Sequence, residues 1–151
     1  LARSRGLGDV YKRQEVDGDY FAIYSFPFSP IHVGLVVRQP GHYHSTLIVL
    51  YVTELQTGKV VSKLDLADSW GELDWMFMQD SWLLYLNKDP YPDIVTRIVD
   101  FHIHPIFNRF LPSNDEVTVS VWTRSGYKEV KKYRNRKFGR KFALRWTRAL
   151  R

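Results

Sequence analysis

The sequence predicts a mainly β, antiparallel fold that ends in a basic helix, and three observations support this prediction. Between residues 15 and 126, short β-branched and aromatic runs alternate with clusters of turn-forming residues. Helical periodicity is scarce before residue 127. Residues 127–151 are strongly basic and place apolar side chains four positions apart. We therefore expect a meander of hairpins followed by an amphipathic helix.

The first half of the chain contains the clearest strand signals. Residues 20–25 (YFAIYS) and 31–37 (IHVGLVV) are predicted strands on either side of a Pro-containing break, and QPGHYHS follows as a loop. Residues 47–64 read LIVLYVTELQTGKVVSKL, in which two β-rich runs flank the short turn QTG. This pattern predicts a β-hairpin.

The second half continues with strands of the same kind. The strand-like runs are 73–80 (LDWMFMQD), 81–88 (SWLLYLNK), 94–103 (IVTRIVDFHI) and 116–122 (EVTVSVW). Two prolines make KDPYPD a loop, and residues 104–115 (HPIFNRFLPSND) are also predicted to be a loop. Val117, Val119 and Val121 alternate and are expected on one face of their strand. The turn TRSG then leads into YKEVKKY.

A repeat of about fifty residues relates the two halves, and this period is typical of propeller blades. In the first half, Phe28-Ser29-Pro30 is followed by IHVGLVV, a loop and LIVLYV. In the second half, Met78-Gln79-Asp80 is followed by SWLLYLN, a loop and IVTRIV. In addition, YVTELQTGKVVSKLDL resembles the outer hairpin of WD-repeat and quinoprotein-type β-propeller blades. The resemblance covers residues 20–125, about two blades. It implies a partial β-propeller with unpaired edge strands and partly exposed apolar faces.

Residues 4–14, SRGLGDVYKRQ, resemble a translated sequencing-library adapter. Residues 9–14 can be encoded by GAT GTG TAT AAG AGA CAG, which looks like the transposon end of that adapter. Residues 4–8 can be encoded by a sequence that looks like its primer part. The resemblance implies that residues 1–14 are not native and that the native chain, which lacks an initiator Met, enters near Glu15 as a fragment. The alternatives are a native disordered basic arm and a nucleic-acid-binding arm.

The net charge of +6 is unevenly distributed along the chain. Residues 1–14 contain four Lys and Arg against one Asp, and residues 127–151 contain eleven against one Glu. The part between them, 15–126, has seven basic and fourteen acidic residues. These boundaries give the predicted division into an adapter-derived segment, a β-rich domain and a basic amphipathic tail. An acidic body with a basic tail favours an acidic protein, an anionic membrane or a nucleic acid as partner.

The tail contains the residues that we expect to contact such an anionic partner: Lys131, Lys132, Arg134, Arg136, Lys137, Arg140, Lys141, Arg145 and Arg148. Its apolar stripe consists of Phe138, Phe142, Trp146 and Leu150 at i, i+4 spacing. Gly139 weakens the helix by about 1 kcal/mol relative to Ala. Two alternatives to an anionic partner remain open for the tail. In one, the apolar stripe binds a groove on another protein; in the other, it packs on the β-rich body of this chain.

Asp100-Phe101-His102-Ile103-His104 is the sharpest chemical motif. It resembles the metal-binding motif at the end of the first barrel strand in amidohydrolases. That resemblance implies a hydrolase in which His102 and His104 hold a divalent metal such as zinc, since alternate residues of a strand point the same way. Such a barrel needs a helix after this strand, and only a Pro-containing loop is predicted here. We therefore predict no metal and no cofactor, and we expect His42 and His44 to be solvated loop residues.

The leading functional prediction is a non-enzymatic protein-interaction or scaffold module of a β-propeller-like repeat protein. The alternatives are the metal-dependent hydrolase and an anionic-surface binder acting through the basic tail. No phosphate-cradling Gly loop or Gly-x-Ser-x-Gly nucleophile motif occurs in the sequence. Without cysteine there is no disulfide framework, and neither a signal segment nor a long apolar run is found. These features favour an intracellular protein, cytoplasmic or nuclear.

Overall fold

The computed structural model describes residues 20–40, 47–134 and 141–142, and these residues form a single antiparallel β-sheet. Its eight strands are β1 (Phe21–Ser29), β2 (His32–Gln39), β3 (Leu47–Glu54), β4 (Val60–Glu72), β5 (Trp75–Leu84), β6 (Asp93–His104), β7 (Arg109–Thr123) and β8 (Gly126–Tyr133). Each strand pairs with the next one along the chain. The described residues contain no helix, so the mainly β prediction is confirmed.

The β3–β4 hairpin forms where the alternating pattern predicted it. The turn between the strands is closed by two backbone hydrogen bonds, from Gly58 N–H to the Glu54 carbonyl and from Glu54 N–H to the Lys59 carbonyl, both 2.9 Å. Gly58 has a φ of +68°, a conformation that only glycine adopts readily. The turn chemistry and the flanking β-rich runs therefore agree on this unit.

Two boundaries predicted from the sequence are wrong. The runs 73–80 and 81–88 do not form two strands, because β5 crosses their junction without interruption. Most of the predicted loop 104–115 belongs to β7, which begins at Arg109 after a tight turn with Asn108 at φ 44°. Pro112 was read as a loop signal, but it pairs with Phe101 beside a bulge. Among the described strands, β7 has a neighbour on one side only at that point, since β8 pairs no earlier than Val117, so a missing N–H is tolerated.

The long strand β4 joins the two halves of the sheet. Its residues from Val60 to Ala67 pair with β3, and those from Asp68 to Glu72 pair with β5. A register shift leaves Leu66 as an extra residue at this change of partner. Bulges bend a strand and re-aim one side chain, and Leu66 is buried in the main core cluster. The bulge thus places an apolar anchor where the sheet bends.

The fifty-residue repeat maps some of the strands onto one another and not others. A shift of about fifty residues carries β3 onto β6 and β4 onto β7. The same shift carries β2 onto residues 82–89, which contain the end of β5 and the start of an irregular loop. Because β-branched runs recur in any antiparallel sheet, this partial correspondence leaves the repeat a prediction.

The main core lies on one face of the bent sheet. Its buried members are Phe28, Leu50, Val52, Leu66 and Ile94, which come from four different strands. A smaller cluster on β5 and β6 contains buried Met78 and Val99. Because apolar residues from the first, third, fourth and sixth strands meet in one cluster, the sheet must curl until its first strand faces its later ones.

Several predictions fall on residues outside the described part of the chain. These are the adapter-like segment, His42 and His44, the apolar residues Phe138, Trp146 and Leu150, and the basic residues Arg136, Lys137, Arg140, Arg145 and Arg148. Within the described ranges, no helix is long and apolar enough to cross a membrane. The predicted tail boundary at residue 127 falls within the first residues of β8, so the start of the tail belongs to the sheet.

Candidate functional site

The candidate site is a groove of about 950 Å³ between β1 and β5, which we call the β1 groove. From β1 it is lined by Ile23, Tyr24, Phe26 and Pro27, and from the middle of the sheet by Val36, Ile48, Leu66 and Ala67. The far wall consists of Asp80, Ser81, Trp82, Leu83, Tyr85 and Pro92. Cavities of this size accommodate small ligands or a few side chains of a partner.

The groove exists because the curled sheet closes at one end only. At the closed end, Phe28 contacts Trp122 with ring centroids 4.6 Å apart and Tyr91 with ring centroids 5.6 Å apart. Toward its start, β1 has no such contacts with the far wall and its apolar side chains are exposed: Ile23 is 54% and Tyr24 64% accessible. The open length of β1 therefore forms one lip of the groove.

The position of Phe26 on the floor of the groove depends on a glycine in the neighbouring strand. Phe26 pairs with Gly34 across β1 and β2, and a Cβ on Gly34 would lie only 2.5 Å from the ring of Phe26. The outer end of the aromatic ring thus occupies the space that a side chain at position 34 would need. A Cβ at this position would push Phe26 into the groove.

The loop of residues 85–92 forms part of the wall opposite β1, and hydrogen bonds to the side chains of Asp93 and Tyr127 fix this loop. Asp93 is 1% accessible, and its Oδ2 accepts hydrogen bonds from the backbone N–H groups of Leu86 and Asn87 at 2.8 and 3.0 Å. The Tyr127 hydroxyl donates to the carbonyl of Pro92 at 2.8 Å. Fixing both ends of the loop in this way keeps Tyr85 and Pro92 in place at the groove.

The chemistry of the groove is that of apolar binding. Asp80 is the single charged side chain among the described residues that line it. The Ser81 hydroxyl shares a hydrogen bond with that of Thr96 at 2.9 Å. Such a surface excludes water and favours apolar or aromatic groups.

The sequence-predicted metal residues lie at the other end of the sheet. His102 is exposed and lies 6.5 Å from the ring of Trp75, measured between centroids. The Nδ1 atom of His104 accepts a hydrogen bond from Ile106 N–H at 3.3 Å. Among the described residues, no three His, Cys, Asp or Glu side chains are grouped so that they could hold a metal. After His104 the chain turns back as antiparallel β7, whereas the amidohydrolase resemblance requires a crossover to a parallel strand.

The described basic residues of the tail are divided between the edge of the sheet and a docked segment. Lys131, Lys132 and Arg134 lie on or just after β8, the last strand. Glu116 forms ion pairs with Lys132 at 2.5 Å and with Arg134 at 3.7 Å. Next to Lys141, the Phe142 ring packs 5.0 Å from that of Trp82, and the Phe142 carbonyl accepts a hydrogen bond from Arg97 Nη1 at 2.8 Å.

Searches of known protein families, curated proteins and solved structures find no match to this chain.

Sequence reasoning missed the β1 groove. The available signal was the strand FAIYSFPFS, which carries no charge and is rich in aromatic residues although it lies at the edge of the sheet. Edge strands usually carry charged residues that prevent association. From the sequence alone, however, nothing identified β1 as an edge strand that faces β5.

Proposed function

We propose that this chain is a non-enzymatic protein-interaction module that binds an apolar segment of a partner protein in the β1 groove. The observation that carries the proposal is the combination of a 950 Å³ apolar groove with an exposed, uncharged aromatic lip. Exposed apolar patches next to a groove are typical of interaction sites in proteins. The occupant is a protein segment with apolar or aromatic side chains, because most of the described lining residues are apolar or aromatic and only Asp80 is charged.

The irregular backbone of β1 favours a partner that binds through its side chains over one that adds a β-strand to the sheet edge. A register shift in β1 leaves Ile23 without a partner residue in β2, and Pro27 lacks a backbone N–H. Both features interrupt the regular hydrogen-bonding edge that an added strand requires. The partner segment therefore gains its affinity from burying side chains against Tyr24, Phe26 and Trp82.

The β-propeller-like scaffold remains part of the proposal. It is supported by the strict meander order of the strands and by the edge of β1, which is partly exposed and pairs with no second strand among the described residues. Blades of a propeller are separate sheets of four strands, whereas β4 pairs with both β3 and β5. The proposal is therefore a rigid β scaffold in which two blade-like ladders share one strand.

The two alternative functions receive less support from the geometry. The hairpin after His104 does not match the barrel that the hydrolase hypothesis needs. For the anionic-surface hypothesis, Lys132 and Arg134 already have a carboxylate partner in Glu116. Although Glu116 is buried, the side chains of Lys132 and Arg134 are 44% and 77% accessible in these pairs, so both remain within reach of a polyanion.

Selection of peptides from a random displayed library on the full chain tests the proposed function. We expect selected peptides to be rich in apolar and aromatic residues and to shift the indole N–H resonance of Trp82, which lines the groove. Ile23→Glu places a charge on the lip and should weaken binding by about tenfold or more, because a hot-spot contact is commonly worth at least about 1.4 kcal/mol.

Ile106→Glu is the matched control, because Ile106 is 81% accessible and lies in the β6–β7 turn, away from the groove. Peptides that bind both variants as tightly as the wild-type chain would contradict the proposal. Occupation of the groove by a second copy of the chain would also contradict the proposal. Analytical ultracentrifugation would show it as a concentration-dependent dimer that Ile23→Glu abolishes.

A further inference from the structure

A second cleft, of about 640 Å³, lies at the closed end of the sheet, and we call it the rim cleft. An up-and-down meander brings the turns after its odd-numbered strands to the same rim. The cleft accordingly combines residues at or next to these turns: His32 at the start of β2, Glu54 at the end of β3, Asp89 and Tyr91 from the β5–β6 loop, Trp122 near the end of β7 and Arg124 from the β7–β8 turn. It is separate from the β1 groove, with which it shares no lining residue.

Aromatic rings form one wall of the rim cleft. Tyr91 and Trp122 are half-buried with centroids 6.2 Å apart, and His32 lies 6.0 Å from Trp122. Behind them, Phe28 is 3% accessible and contacts both Tyr91 and Trp122. The rings are therefore held rigidly by the core and offer a preformed surface to a ligand.

Carboxylates give this aromatic wall a negative environment. Glu54 and Asp89 line the cleft, and the buried carboxylate of Asp93 lies behind the same loop. Burial, followed by the charges of Asp93, Tyr85 and Asp89, raises the pKa of Tyr127 above its ordinary value. The same charges that disfavour a tyrosinate at this position favour a cation.

The geometry points to the rim cleft as a binding site for a cationic side chain of the arginine or lysine type, held against Tyr91 and Trp122 and paired with Glu54 and Asp89. Aromatic faces attract cations, and the attraction increases when the cation is partly desolvated. This inference does not rest on the proposed function of the β1 groove. If both sites operate, the partner presents a basic residue beside an apolar segment.

The two carboxylates are already oriented by local hydrogen bonds. Glu54 Oε2 accepts a hydrogen bond from the Thr57 hydroxyl at 2.6 Å, and Asp89 Oδ1 accepts one from Tyr91 N–H at 2.9 Å. Replacement by the amide keeps an acceptor oxygen at each position and removes the charge. Glu54→Gln and Asp89→Asn therefore test electrostatics with little change in structure.

Arg124 supplies a test of opposite sign. It lines the same cleft and is exposed, so its guanidinium repels a bound cation. Arg124→Gln removes this repulsion and should strengthen binding, whereas a substitution that merely disturbs the fold would weaken it. A site that selects cations must respond in opposite directions to the loss of its acidic and its basic residues.

The experiment titrates the full chain with N-acetyl-arginine methylamide and follows the Trp122 indole resonance. We expect a saturable shift with this probe and with its lysine counterpart, and none with the citrulline counterpart, which has nearly the same shape but no charge. Glu54→Gln and Asp89→Asn should each weaken binding by roughly two- to fivefold, the range of an exposed charge pair. Comparing the arginine and lysine derivatives identifies the preferred cation.

Binding of the citrulline derivative as tight as that of the arginine derivative would overturn the inference, as would an affinity that is unchanged in all three charge variants. A shift of the Trp82 resonance in place of that of Trp122 would place the probe in the β1 groove and would also overturn it. Ile23→Glu should leave binding of the arginine derivative unchanged. The failure of one site can thus be distinguished from the failure of the other.

Discussion

Phe28 and Trp122 pack with ring centroids 4.6 Å apart, and this contact joins the first strand of the sheet to the seventh. Phe28 also contacts Tyr91 and Tyr127. No backbone ladder joins β1 to β7 or β8 in the described part of the chain. Side-chain packing therefore closes the rim of the sheet and determines where the two clefts lie.

Phe28→Ala should destabilise the protein by about 3–5 kcal/mol, because it removes a buried aromatic ring and leaves a cavity. Urea unfolding measures the loss. Leu73→Ala is the control, since Leu73 is 96% accessible in the β4–β5 turn and its loss should change the unfolding free energy by less than about 0.5 kcal/mol. Equal effects of the two substitutions would contradict the role assigned to Phe28.

Asp93→Ala should cost about 2–3 kcal/mol, because two backbone N–H groups and the Asn87 side-chain amide lose a charged acceptor. Hydrogen exchange should also accelerate at Leu86 and Asn87, whose amides Asp93 holds. Asp74→Ala serves as the comparison, since Asp74 lies exposed in the β4–β5 turn. Slow exchange at Leu86 in Asp93→Ala would show that the loop is held by other contacts.

Gly34→Ala should destabilise the fold by about 1–3 kcal/mol, since the new Cβ overlaps the Phe26 ring and overpacks this part of the sheet. A double-mutant cycle isolates the cause. When Phe26 is already Ala, the Gly34→Ala substitution should cost little, because the clash is gone. Full additivity of the two substitutions would show that the ring over Gly34 is not responsible.

Stability should fall in alkaline solution through Tyr127. Burial and then the nearby charges, chiefly Asp93, raise the pKa of this phenol above its ordinary value of 10.0. A pKa that is higher in the folded state gives a stabilisation that is present below about pH 10 and is lost as the pH rises above it. Urea midpoints measured between about pH 8 and pH 11 should therefore decrease less steeply in Tyr127→Phe.

Tyr127→Phe also loses the hydrogen bond to the Pro92 carbonyl, which should lower stability at neutral pH by about 0.5–1.5 kcal/mol. Tyr24→Phe is the control: Tyr24 is 64% accessible and its replacement should leave the alkaline slope as in the wild-type chain. An alkaline slope in Tyr127→Phe equal to that of the wild type would contradict the prediction.

Glu116→Gln tests the hypothesis that the basic tail binds polyanions. Glu116 is 8% accessible and pairs with Lys132 and Arg134, so its neutralisation releases two cations on the edge of the sheet. We expect later elution from a heparin column than for Glu129→Gln, which changes the net charge equally from an exposed position of β8. Equal elution of the two variants would show that the Glu116 pairs do not restrain polyanion binding.

Local patterns were sufficient to predict most of the strands. The β-branched runs of β3 and β6, together with the Gly-containing turn at Gly58, lie where the sequence placed them. Pro112 and the junction at residues 80–81 were misread, because a proline is tolerated where β7 has one neighbour and because β5 crosses that junction. Whether one side of a strand is unpaired depends on strands that are distant in the sequence. Sequence periodicity, which compares neighbouring residues, cannot predict this.

The sequence by itself determined that this protein is mainly β, antiparallel and rich in hairpins, because alternation and turn chemistry act between neighbouring residues. Only the tertiary structure decided where β4 changes partner, which aromatic residues close the rim, and which apolar residues face a groove. Phe28 and Trp122 are 94 positions apart in the sequence and in contact in the fold. Contacts of that kind depend on the curvature of the whole sheet, which bulges such as the one at Leu66 produce.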